Sequence, residues 1–331
     1  MQLDVRLDAD LAQVPDVVRA FEDAGVGGLF TYEGPRDPFL PLAVAAPVAQ
    51  HVHLYTNLAI ALPRSPMHLA YLAHDLQRAS GGRFALGLGT QVQRHITQRY
   101  GGTWDSPVEQ LRECVLAVRA IQQSWQDGTP MAFEGRWTRH TYCPPLFDPG
   151  PVAGGPTPMY VGAVGPRMVT MATEVADGLL VHPFCTSRSL AEHTWPLVDA
   201  GLAGRTGFTL VGQATVAVGR TKEELARARD AVRSLVCFYV STPAYRFVLD
   251  VHGWGELQPV VRELTRAGRW ADLTAAVPDE VVDAVAVSGD PEEVAHQLAD
   301  RYARCDRVGL SMPYDVPLAT LTALVSAAAS L

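Results

Sequence analysis

Lysine is almost missing: the 27 basic residues of this 331-residue chain are 26 Arg and Lys222. Schiff-base chemistry would have to rest on Lys222, which stands in the first turn of a helix opened by Thr221-Lys222-Glu223-Glu224, a solvated position. Basic residues are also outnumbered, and the net charge of −8 excludes a nucleic-acid grip or an anionic membrane surface as the main partner, since both need a basic face. The five cysteines (Cys114, Cys143, Cys185, Cys237 and Cys305) are odd in number, scattered and free of CxxC, which excludes a disulfide scaffold or zinc ribbon. Apolar runs stop well short of the roughly 18 residues a spanning helix needs, and Met1-Gln2-Leu3-Asp4-Val5-Arg6 alternates like a strand without a signal-peptide core. HExxH, GxSxG and GxGxxG are all missing. The expectation is a soluble protein of the reducing cytoplasm, with no metal.

What is present is enough apolar material for a large core, 48% hydrophobic against 19% charged residues. Strand patterns and helix patterns alternate along the chain. The strands read as Leu3–Leu7, Gly28–Tyr32, His53–Leu62, Arg83–Gly89, Met159–Ala163, Gly178–His182, Leu210–Val218 and Arg307–Met312. Helix starts recur as Asp37-Pro38, Ser65-Pro66, Ser106-Pro107, Gly165-Pro166 and Asp290-Pro291, with capping boxes expected at Ser106, Thr221 and Asp290. Eight strands so arranged predict a closed (β/α)8 TIM barrel in one domain over 1–331, with an open doubly wound sheet as the alternative. Residues 241–288 break the alternation and read as an insertion between strand 7 and the last helix.

Barrel chemistry gathers at the C-terminal strand ends. His51 and His53 have metal-ligand spacing but lie at the wrong end of their strand. Cys185 follows the sixth strand and faces the right rim, although a lone Cys is usually inert. Glu33, Asn57, Thr90, Gln91 and His182 also fall at that rim. Each has a plain structural reading: a solvated carboxylate for Glu33, a bulge at Asn57, a hydrogen-bonded core imidazole for His182. Gly162-Ala163-Val164-Gly165-Pro166-Arg167 joins a strand end to a helix start, where free N–H groups favour an anion. A tight strand-to-helix turn explains the same glycines equally well.

Three stretches carry a resemblance: Ser65-Pro66-Met67-His68-Leu69-Ala70 continuing through Leu76 to Gly89; Pro158 to Pro166 with Ala176-Asp177-Gly178; and Val287 to Val294. Their order and spacing resemble the bacterial luciferase-like superfamily, and within it the deazaflavin oxidoreductases that use coenzyme F420. The resemblance implies a (β/α)8 barrel with the cofactor ring at the C-terminal mouth. It places Asn57 and Leu58 against the ring, through a non-proline cis peptide, and Thr90 and Gln91 beside the ring edge or tail. It places the backbone of Gly162, Ala163, Gly165 and Pro166, with Arg167, at the cofactor phosphate. The family's histidine after the acidic residue of strand 2 is replaced here by Gly34, which leaves Glu33 and His182 as candidate proton-transfer groups. The implied activity is hydride transfer between F420 and a small organic substrate, in a homodimer. The alternatives are an FMN-dependent monooxygenase and a flavin-binding protein without turnover.

Overall fold

The structure is a computed structural model describing residues 1–331, the side chain of residue 271 excepted. Eight parallel strands form the barrel: β1 (Gln2–Arg6), β2 (Gly28–Thr31), β3 (His53–Thr56), β4 (Phe84–Gly89), β5 (Met159–Ala163), β6 (Gly178–Val181), β7 (Thr209–Val218) and β8 (Arg307–Ser311). Each pairs with the next, and β1 pairs with β8 in the register Gln2↔Arg307 to Val5↔Leu310. The ring is therefore closed, and the open-sheet alternative falls.

Because both faces of every strand are covered, the strands are nearly continuous apolar runs. One face packs on the outer helices through Leu3, Val5, Leu29, Leu54, Leu86, Val161, Leu179, Val308 and Leu310. The other points into the barrel, where Phe30, Tyr55, Ala85, Tyr160, Leu180 and Val211 form a separate inner cluster. The outer helices are α1 (Val14–Asp23), α2 (Phe39–Ala45), α3 (Pro66–Ala79), α4 (Pro107–Asp127), α5 (Pro166–Val175), α6 (Trp195–Leu202), α7 (Lys222–Val240), α8 (Pro291–Arg301) and α9 (Leu318–Ala329). Asp290 caps α8 in a full capping box, and Ser65 and Thr221 cap α3 and α7. Ser106 does not cap α4; its hydroxyl points back to Asp105 Oδ1 at 3.5 Å.

The insertion follows the end of α7 at Val240. Helix α7 shares a core with it: Ala228, Val232, Val236 and Val240 pack on Val248, Leu249, Val261, Leu273 and Val281. At the far end, residues 286–289 are not irregular. They form a short parallel strand against the top of β7, Thr215↔Ala286 to Val218↔Gly289. Thr215 also pairs with Ser311 of β8, so the added strand lies on the opposite edge of β7 from β8.

The seam between β1 and β8 holds a buried ion pair. Asp4 is fully buried and takes two bonds from Arg307, Nε at 2.8 Å and Nη2 at 2.7 Å, and a third from the Tyr55 hydroxyl at 2.9 Å. A side chain at Gly28 would come within 2.6 Å of Arg307 Nη2 and 2.7 Å of Asp4 Oδ1, so this position must stay glycine. Removing one partner of such a pair leaves a bare buried charge, which costs about 3–5 kcal/mol. Asp4→Ala is expected to lose that much in urea unfolding, and adding Arg307→Met to recover most of it. A single-variant loss below about 1 kcal/mol would show that the pair does not hold the seam.

Candidate active site

Carrying the inward face of the barrel two residues beyond its inner cluster leads to Tyr32, Asn57, Gly162, His182 and Gln213, a ring of groups at the C-terminal mouth. Gln213 is in this set by register as well: it pairs with Gly309, at which a side chain would touch both Gln213 and Phe30.

The floor of the mouth is made by the end of β3. The Asn57–Leu58 peptide is cis, and it divides the long β-type run into β3 and a two-residue continuation, Ala59–Ile60, paired to Leu88 and Gly89 of β4. The Leu58 side chain lies across the ends of β4 and β5. A side chain at Gly89 or Gly162 would approach it to 2.6 Å or 2.3 Å. A side chain at Gly87 would collide with the Thr56 carbonyl at 1.8 Å. These glycines are therefore explained by crowding around the β3 end. Asn57 donates its backbone N–H to Thr31 O at 2.6 Å, whereas its buried side-chain Nδ2 has no hydrogen-bond partner. A buried amide donor without an acceptor costs about 1–3 kcal/mol, so its position at the mouth favours a ligand acceptor there.

Glu33, just past β2, has both carboxylate oxygens engaged. Oε2 accepts from Ile60 N at 2.7 Å and from Arg64 Nη1 at 2.5 Å, and Oε1 accepts from the Tyr100 hydroxyl at 2.8 Å. Its side chain is 5% exposed. It ties the β2 end to the segment beyond the cis peptide and to the loop after β4. His182 lies past β6 in contact with Tyr245 (ring centroids 4.3 Å apart) and Tyr239 (5.0 Å). Its Nδ1 accepts from Phe184 N at 3.1 Å, which assigns the ring proton to Nε2. Burial lowers its pKa to about 3, so the imidazole is neutral at physiological pH.

The remaining expected residues lie around the same rim. Thr90 and Gln91 are half-buried after β4; Gln91 has a left-handed backbone (φ 60°), and its Oε1 accepts from Val92 N at 3.0 Å. Ala163 is buried, and Gly162 and Gly165 are partly open, at the β5–α5 turn. Gly165 is the N-cap of α5, with an ordinary φ of −84°. A side chain built there meets nothing within 4 Å. Neither backbone conformation nor crowding requires glycine at this position, which leaves open space over the helix start. Pro166 opens the helix, and Arg167 is exposed, with only a 3.7 Å approach to Glu109.

Several rim groups escaped the sequence reading. Arg64 and Tyr100 are distant in sequence from the Glu33 they bind, and Tyr239 and Tyr245 belong to the inserted region. Gln213 alone left a signal, as a polar residue within an apolar strand. Other expectations take their place away from the mouth: His53 begins β3 at the opposite barrel end, and burial keeps its pKa down at about 3. Cys185 is buried beside the Tyr302 hydroxyl (3.4 Å), and burial raises its pKa, so it is held as a thiol. Lys222 is exposed. Among the described residues, no group of three or more His, Cys, Asp or Glu is placed to hold a metal ion, and no helix is long and apolar enough to cross a membrane.

A closed barrel with a polar mouth over an irregular β3 end defines a class, and the comparisons agree with it. The chain matches the luciferase-like monooxygenase family over residues 2–306 and belongs to that family. It is 41% identical over 305 residues to an uncharacterized protein of Mycobacterium tuberculosis, covering 91% of this chain and 90% of that one. It is 31% identical over 248 residues to 5,10-methylenetetrahydromethanopterin reductase of Archaeoglobus fulgidus, covering 71% and 68%. Among solved structures, the coenzyme F420-dependent tetrahydromethanopterin reductase of Methanopyrus kandleri superposes with a TM-score of 0.82 at 19% identity, covering 99% and 98%. A Baeyer–Villiger monooxygenase component of Pseudomonas putida in complex with FMN superposes with a TM-score of 0.69 at 16% identity, covering 100% and 98%. These relatives and folds support an enzyme with a flavin or deazaflavin cofactor.

The neutral His182 has a measurable consequence. Its folded pKa of about 3 lies below the ordinary 6.5, so between those values the unfolded chain takes up a proton that the folded chain refuses. The stability it contributes is present above pH 6.5 and is lost as pH falls toward 3, at up to about 1.4 kcal/mol per pH unit. His182→Gln is expected to decline less steeply than the parent between pH 6 and 4 by that amount. Equal slopes in denaturant titrations would mean that His182 is protonated in the folded protein.

Proposed function

We propose that this chain is an oxidoreductase that transfers a hydride between coenzyme F420 and a small organic substrate at the C-terminal mouth. The observation that carries the reading is the unpartnered, buried Nδ2 of Asn57 at the β3 end. The open backbone at Gly165 adds a second point of contact across the same rim. When bound, F420 supplies a two-electron hydride carrier. Asn57 Nδ2 would donate to a polar atom of the ring, with Leu58 beside it, and Thr90 and Gln91 would lie near the ring edge or tail. The N–H groups around Gly162, Ala163, Gly165 and Pro166 would receive the phosphate, with the helix-start dipole and the Arg167 charge in support.

His182, with its proton on Nε2, would hydrogen-bond and orient the substrate oxygen and, through that bond, give or take the proton that balances the hydride. Glu33 was a candidate for proton transfer; with every oxygen already accepting, its role in this reading is to position the β3 end. The choice of F420 over FMN rests on the closer likeness to the F420-dependent reductase, since a phosphate at α5 serves both cofactors. The working form is a cytoplasmic homodimer in this reading, and sedimentation of the purified protein as a monomer would count against the dimer.

The test is titration of the purified full-length protein with F420 and with FMN, followed by fluorescence. F420 is expected to bind more tightly. Tight FMN binding with no measurable F420 binding would overturn the cofactor choice. Gly165→Leu is expected to leave the circular dichroism spectrum unchanged and to weaken F420 binding at least about tenfold, because its side chain would occupy the open space over the helix start. Unchanged affinity would remove the phosphate from that site.

A further inference from the structure

Four aromatic rings cluster on one side of the mouth, His182, Tyr239 and Tyr245 partly open and Phe184 buried behind them. His182 and Phe184 come from the segment after β6, and Tyr239 and Tyr245 from the end of α7 and the turn beyond it. The two tyrosines meet edge to face, 6.0 Å apart at 80°. Phe184 lies 5.8 Å from Tyr239 and 6.0 Å from Tyr245. Tyr32 stands on the β2 side of the rim and is exposed.

We propose that these rings form the substrate's half of the site and select an uncharged, planar molecule carrying an oxygen acceptor, of the aryl ketone or aryl alcohol class. The inference rests on the oxidoreductase reading and names its substrate. Aromatic walls favour flat apolar partners by stacking and edge contact. Three donors stand on this wall: His182 Nε2 and the hydroxyls of Tyr239 and Tyr245. None makes a hydrogen bond within the protein among the described residues, and none is a fully buried atom. A core packed only for stability would satisfy or exclude such groups.

The wall is also electrically neutral. Burial alone sets the ionisation of His182 and of Tyr245, whose pKa rises to about 12, with no charged neighbour contributing to either. No ion pair or cation–π contact among the described residues involves any of the four rings. The cations beside it are paired: Arg6, 5.4 Å from the Tyr32 ring, binds Asp8 at 2.6 Å, and Arg246, next to Tyr245 in the chain, binds Asp250 at 3.3 Å and Glu256 at 3.1 Å. A carboxylate or phosphate substrate would find no counter-ion on the wall, and burying an unpaired anion there is strongly disfavoured. A neutral carbonyl or hydroxyl oxygen matches the three donors.

The test uses calorimetry on the full-length protein, first without and then with F420. The probes are acetophenone, benzoate and ethylbenzene, which share a ring and differ in charge and oxygen. Acetophenone is expected to bind at least about tenfold more tightly than benzoate. Tyr245→Phe removes one hydroxyl and keeps the ring. It should weaken acetophenone about 2–10-fold, the value of one hydrogen bond, while leaving ethylbenzene and F420 affinities within twofold of the parent. Benzoate binding as tightly as acetophenone would overturn the proposal. So would a Tyr245→Phe variant that loses F420 affinity and not acetophenone affinity, since the wall would then belong to the cofactor. Failure of F420 to bind the parent would instead strike the oxidoreductase reading, and the comparison of probes on the cofactor-free protein would still decide the wall.

Discussion

A barrel exists only if its first strand meets its last, and here that meeting takes place around a buried charge pair. Asp4 and Arg307 are 303 residues apart in the chain and bound side by side within the barrel wall. Arg307 also donates to the Gly27 carbonyl at 2.7 Å, and Asp4 accepts from Tyr55 of β3. The pair therefore reaches β1, β3, β8 and the approach to β2 together. Hydrophobic burial alone would tolerate sliding of neighbouring strands, but a paired charge without water does not. Its register passes upward along β3 from Tyr55 to Asn57, so the network near the N-terminal strand ends sets the height at which the mouth begins.

At the mouth a second constraint takes over. Leu58 can lie flat over two strand ends because Gly89 and Gly162 have no side chains, and Gly87 lets the Thr56 carbonyl pass. The Glu33 carboxylate then holds the same region from above through Ile60, Arg64 and Tyr100. The result is a fixed floor with one donor, on Asn57, left unmatched. A floor so held is preorganised, which is what a site that relies on orientation requires.

Strand order and closure were legible because every barrel strand is buried on both faces and writes an apolar run into the chain. Proline at helix starts was legible for a similar reason: at the first turn its missing N–H is no loss, so it marks that place. The Ser106 box was misread because the Ser106 hydroxyl turns back toward the Asp105 carboxylate instead of onto the helix N–H groups. The strand at 286–289 was missed because four residues pairing with only one strand leave no period to count. Glu33 was found at the rim, but its partners could not be, since Arg64 and Tyr100 are brought to it by folding alone. The tyrosines of the mouth were hidden for another reason: the insertion has no repeat against which an unusual residue would stand out.

The insertion's separate core has a bearing on how such a protein changes over time. The helix carrying Tyr239 is anchored by Val232, Val236 and Val240 to Val248, Leu249, Val261 and Leu273, whereas the floor at Asn57 is anchored by the barrel. The two halves of the opening are thus supported by different sets of packed side chains. Substitutions among Val248, Leu249, Val261 and Leu273 fall within that packing, which meets the barrel at Ala217 of β7 and at Phe184. Changes in those inserted residues would alter the wall with Tyr239 and Tyr245 and leave the floor at Asn57, which the barrel strands hold, as it is.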